Sequence, residues 1–114
     1  MSPTQRSLKL LRSQGWTCRI VEHWNAFAKL RQDLWGFDLL AIKDGKRPML
    51  VQTTTQAHIG ERFEKLLAME TTHLLLPDFS LWIHGWRVLK KPRVHAECDA
   101  RELKWLEDGI VLVH

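Results

Sequence analysis

The run GFDLLAIKDGKRPMLVQTTT at residues 36–55 places one acid, Asp38, at the head of an apolar segment and one amide, Gln52, late in the next. A carboxylate leading an apolar strand is costly to bury unless it is paired or holds a cation. Asp44-Gly45 is a strong turn signal, so the two segments are expected to pair as an antiparallel hairpin. A two-residue loop at 44–45 sets Asp38 opposite position 51, whereas a bulge or a longer KDGKR loop aligns it with Gln52. Gln52 and Thr54 share parity and hence a face. Asp38, Gln52 and Thr54 are therefore expected to converge at a sheet edge, where oxygen ligands on adjacent strand ends suit a hard divalent cation. Glu22 is the best additional acid and Asp33 another, while Lys29 and Arg31 precede the hairpin on a segment able to fold over the site.

The flanking sequence supplies elements to hold these groups. Residues 2–14 read as a helix, with Ser2 as N-cap, Pro3 in the first turn, Gln5 completing a capping box and Gly15 ending it. TCRIVEHW (17–24) alternates and reads as a first strand; residues 25–36 lack periodicity and read as a loop. FDLLAI (37–42) and PMLVQTT (48–54) are the second and third strands. Thr55 is expected to cap a helix to about Glu70, with Ile59, Phe63, Leu66 and Leu67 as its apolar stripe. HLLL (73–76) and SLWIHGWRV (80–88) read as a pair of strands around Pro77-Asp78. Asp99 and Glu102 resemble a capping box for a short helix ending at Gly109, and IVLV (110–113) reads as a last strand. The order α, β, β, β, α, β, β fits a single α/β domain over 1–114, a mixed sheet flanked by helices.

Composition narrows the chemistry. The 114 residues suit one domain, and 45% apolar content supplies a core. No segment approaches the roughly 20 apolar residues of a membrane span, and the N-terminal residues lack a signal-peptide apolar region, so a cytoplasmic protein is the default expectation. Cys18 and Cys98 read as free thiols. His95-x-x-Cys98 is the only compact Cys/His set, with no second pair at zinc-finger spacing. A net charge of +4 favours polyanionic partners. Six tryptophans are unusual, and Trp35, Trp82 and Trp86 are candidates for stacking on bases as well as for packing.

At Asp38, Gln52-Thr53-Thr54, HIGERFEKLLAM and SLWIHGWRV the chain resembles the PD-(D/E)XK nuclease superfamily, with its restriction-endonuclease-like fold. It looks most like small phage and archaeal Holliday-junction-resolvase-type members. The similarity covers roughly residues 2–88. It implies an αβββαβ core, here with an extra C-terminal hairpin and short helix. It also implies Mg²⁺- or Mn²⁺-dependent DNA endonuclease activity, with branched or junction DNA as a candidate substrate. Asp38 matches the family's strand-two acid, and Gln52-Thr53-Thr54 stands at its E-x-K position, so an acid and a lysine are replaced. The resemblance implies Asp38, Gln52 and Glu22 as metal ligands, with Thr54 beside them and Lys29 or Arg31 supplying the missing cation. Arg6, Lys9, Arg31, Gln56, Lys90, Lys91 and Arg93 would contact DNA. It implies a homodimer, with the Trp-rich 80–88 segment as the expected interface, and a phage- or mobile-element-encoded protein inside the host cell. Two rivals remain: a catalytically degenerate DNA-binding module of the same fold, and a protein-interaction factor that inhibits host defence.

Overall fold

The computed structural model describes residues 1–114, apart from the side chains of Trp24 and Arg31. The first helix, α1 (Pro3–Ser13), starts as its sequence requires: Ser2 Oγ accepts the Gln5 amide and Pro3 occupies the first turn. Gly15, at φ +91°, reverses the chain behind it. Next come β1 (Thr17–Ile20), β2 (His23–Asn25), β3 (Leu30–Gln32), β4 (Leu39–Ile42) and β5 (Met49–Thr55). A 3₁₀ turn (56–58) leads into α2 (Ile59–Leu67) and α3 (Glu70–Leu75). The chain closes with β6 (Ser80–Leu89), β7 (His95–Leu106) and β8 (Gly109–Val113). No helix among the described residues is long and apolar enough to cross a membrane.

Six strands form one mixed sheet in the order β1-β4-β5-β6-β7-β8, and β2 and β3 pair separately. Every neighbouring pair is antiparallel except β5 and β6, whose parallel pairing requires the crossover through α2 and α3. The fold is thus α/β, with helices on a mixed sheet. β5 is buried from Met49 to Thr54, as expected of a central strand covered on both faces. Met49 and Val51 pack with Leu8 and Leu11 of α1, while Leu50 packs with Ile59 and Leu66 of α2. Burying side chains such as Leu39, Leu50 and Leu81, which expose nothing, is worth about 1.5–3 kcal/mol each.

A single hydroxyl fastens α1 to β6. Ser7 Oγ accepts from Trp86 Nε1 at 2.8 Å and lies 2.9 Å from His84 Nδ1. The His84 ring is neutral at neutral pH because burial pushes its pKa down to about 4. Gly85 allows close approach on the other face: a Cβ there would collide with the Ile59 side chain and lie 3.1 Å from Gln56 Cα.

Several sequence expectations are corrected. The 17–24 strand stops at Ile20, and residues 23–32 form a hairpin rather than a loop. Its turn is built by Asn25, whose Oδ1 accepts the Phe27 and Ala28 amides. The helix expected over 55–70 is divided, and 73–76 continues α3 instead of forming a strand; Leu75 and Leu76 are buried among the α2-side apolar residues. A four-residue apolar run carries no periodicity able to separate the two states. The short helix expected over 99–109 is mostly β7, because nine ladder pairs with β6 outweigh a local capping pattern. Asp99 is engaged instead by Arg101 and Gln56. The 80–88 segment, expected to pair with 73–76, is instead the interior strand β6, paired on both edges by β5 and β7.

Candidate functional site

The β4–β5 ladder pairs Leu39 with Val51, Leu40 with Leu50 and Ala41 with Met49. Continued by one residue, this register sets Asp38 across from Gln52, and the Asp38 amide still donates to Val51 O at 2.8 Å. The connecting loop is thus longer than the two-residue hairpin, and its length gives the aligned register. Asp38 and Gln52 are only 7% and 6% exposed.

Three donors converge on Asp38 Oδ2: the Thr53 amide at 2.8 Å, Thr53 Oγ1 at 3.1 Å and Gln52 Nε2 at 3.1 Å. Thr53 Oγ1 also lies 2.7 Å from Thr4 Oγ1, which ties the first turn of α1 to the carboxylate's support. The Gln52 amide nitrogen is shared with Thr53 O at 3.1 Å, so Gln52 meets Asp38 as a donor and keeps only Oε1 for an ion. With Oδ2 fully engaged, Oδ1 is the Asp38 oxygen available to Glu22 or to a cation.

Burial is the main reason that the Asp38 pKa rises to about 6. The hydrogen bonds from Thr53 oppose the rise, while the charge of Glu22 and a hydrogen bond with its carboxyl add to it. Because the Glu22 hydrogen bond favours neutral Asp38, protonated Asp38 is its donor. Asp38 therefore keeps its proton up to about pH 6.

These groups open on a cavity of about 580 Å³. Ser2 to Gln5 of α1 form one wall, Ile20, Glu22, His23 and Asp33 another, and Arg62 of α2 reaches in from a third. Asp33 also builds the chain entry into β4, since its Oδ1 accepts the Gly36 amide at 2.9 Å. Among the described residues three acids stand against one guanidinium and one imidazole, which favours a cation in the cavity. Among the described residues no three His, Cys, Asp or Glu side chains are grouped as a complete metal site. A Mg²⁺ ion leans on one or two carboxylates and keeps several waters, so Asp38 and Glu22 with the Gln52 carbonyl fit its needs.

No protein-family model, curated protein or solved structure matches this chain.

Of the residues expected at the site, Asp38, Gln52, Glu22 and Asp33 line the cavity, and Thr54 does not. Thr54 is buried beside Gly85 of β6, and its neighbour Thr53 makes the contacts instead. Lys29 lies in the exposed β2–β3 turn at φ 55°, outside the cavity lining. The Arg31 side chain lies outside the described residues. Gln56 is engaged by Asp99 at 3.4 Å. Arg6 is half-buried and Lys9 exposed on α1. Lys90, Lys91 and Arg93 are exposed in the β6–β7 turn. That hairpin outruns β5 by three residues, from the Thr55–Trp86 pair to Leu89–His95, or about 10 Å. Its basic turn therefore projects from the same end of the sheet as the cavity.

The residues the sequence did not single out are Thr53, Thr4 and Arg62. Thr53 sat unremarked inside the quoted motif. Arg62 left a signal: it occupies the stripe Ile59-x-x-Arg62-Phe63-x-x-Leu66, where a charge faces the sheet rather than solvent.

Proposed function

We propose that this chain is a divalent-metal-dependent DNA endonuclease, with branched or junction DNA as its substrate. The observation that carries the reading is the buried Asp38 carboxyl beside half-buried Glu22 at the open end of β4 and β5, facing a cavity at the end of the sheet from which a basic hairpin projects. The antiparallel β1-β4-β5 meander, returning through α2 to a parallel β6, supports kinship with the PD-(D/E)XK nucleases.

In this reading Asp38 and Glu22 hold Mg²⁺ or Mn²⁺, with Gln52 Oε1 as a neutral third ligand. A metal held there would supply Lewis acidity for polarising the scissile phosphate and acidifying an attacking water. Thr53 and Gln52 fix the Asp38 carboxylate so that one oxygen faces the cavity. The α1 turn closes one side against bulk water. Lys90, Lys91 and Arg93 contact the phosphate backbone and orient the duplex without reading sequence. Metal binding at Asp38 would release its proton to solvent.

The test is incubation with supercoiled plasmid and a synthetic four-way junction, with Mg²⁺, with Mn²⁺ and with chelator. Metal-dependent cutting that Asp38→Asn abolishes supports the reading, and no cutting under any condition overturns it. One observation favours a DNA-binding module without catalysis: Gln52 turns its donor, not its carbonyl, toward Asp38. That reading expects salt-sensitive junction binding, no cutting, and no effect of Asp38→Asn on affinity.

A further inference from the structure

We propose that Arg62 of α2 is the phosphate-binding residue of this cavity, standing where no lysine is available from β5; the assignment rests on the nuclease reading above. The side chain enters the cavity because of its place on the helix. Ile59 and Leu66 are buried, and position 62 lies three residues after one and four before the other, on the same face. Its aliphatic stem follows that apolar face, and Arg62 lines the cavity together with Glu22, Asp33 and Asp38.

The head group is incompletely satisfied. Arg62 Nε is shielded from solvent and has no hydrogen-bond partner. Among the described residues no ion pair of Arg62 is found, although Glu22, Asp33 and Asp38 line the same cavity. A shielded, unpartnered donor on a charged group is unfavourable, so no protein acceptor accounts for the placement of this head group. Asp38 is held by Thr53 and Gln52, and Asp33 by the Gly36 amide, so the guanidinium can take an anionic ligand. A planar fork with donors along two edges matches two oxygens of one phosphate. The cavity, at about 580 Å³, falls within the roughly 300–1,000 Å³ range of small-ligand sites and has room for a phosphodiester and a hydrated ion together. Lys29 and Thr54, the positions the motif suggested, do not reach it.

The experiment compares wild type, Arg62→Ala, Arg62→Lys, Arg62→Met and the distant control Lys46→Ala. Cutting of a labelled four-way junction is measured with Mn²⁺. Binding of the same junction is measured in an Asp38→Asn background across a salt series. Arg62→Ala is expected to slow cutting by about 10²–10³-fold. It is also expected to weaken binding about tenfold and to lower the salt slope by about one. Arg62→Lys recovers part of both, and Lys46→Ala changes neither. Arg62→Met keeps the stem and removes the unpartnered charge, so its urea midpoint is expected to match or exceed wild type; a merely structural arginine would lower it. Equal binding and salt slope for wild type and Arg62→Ala overturns the assignment whether or not the protein cuts. If wild type binds but does not cut, and Arg62→Ala still loses binding, Arg62 stands as the phosphate contact and only the nuclease reading falls.

Discussion

Replacing Asp38 by Asn is expected to stabilise the protein at neutral pH while abolishing its activity. In the unfolded chain the carboxyl ionises near 3.8, and in the folded protein near 6, chiefly because it is buried. Below pH 3.8 it is protonated in both states and carries no penalty. Between 3.8 and 6 the unfolded chain gives up the proton first, so stability falls as pH rises. Above 6 the whole penalty is in place, about 3 kcal/mol at about 1.4 kcal/mol per tenfold change in proton affinity. Asn retains an oxygen for Thr53 and Gln52 and offers Glu22 the N–H that protonated Asp38 would have supplied. Urea unfolding from pH 4 to 8 should show the variant about 3 kcal/mol more stable at pH 7.5, or roughly 10 °C in Tm, and the two converging near pH 4. His84 contributes oppositely: its folded pKa is lowered, so stability is lost as pH falls from about 6.5 toward 4. It does so in both proteins, and the difference curve isolates Asp38. A variant less stable than wild type at pH 7.5, or a difference that does not change with pH, would refute the account of the buried carboxyl.

Three further outcomes are expected. Calorimetric titration with Mn²⁺ should show affinity falling about tenfold per pH unit below 6, as the ion displaces the Asp38 proton, and no binding to Asp38→Asn. Ser7→Ala leaves the Trp86 and His84 ring nitrogens without their shared partner and should lower the unfolding free energy by about 1–3 kcal/mol in urea. Replacing Lys90, Lys91 and Arg93 together by Ala should reduce the slope of log affinity against log salt by about 2–3 for duplex and junction alike, as read by fluorescence anisotropy.

What could be read from the sequence followed the strength of local signals. α1 was legible because Ser2, Pro3 and Gly15 each act within one turn. The β4–β5 pair was legible because a turn signal separates two β-rich runs. β7 was not, since Asp99 and Glu102 imitate a helix start and only the ladder with β6, formed across the chain, outweighs them. At the site, Asp38 stood out as an acid ahead of an apolar strand. Thr53 did not, because its amide acts through register, which spacing left open between two alternatives. Arg62 lies outside the E-x-K spacing, although an arginine on an apolar helical stripe is itself a signal.

The turns at 14–16, 43–47 and 107–108 gather at one end of the sheet, where Lys43 Nζ reaches Gln14 O. The cavity and both projecting hairpins occupy the other, and so does the start of the chain, since Ser2 and Pro3 border the opening. Anything spliced ahead of Met1 is delivered to that doorway and must be threaded aside before a bulky polymer can enter. A reporter or purification handle is better grafted into the exposed 44–46 bend, facing away from whatever docks.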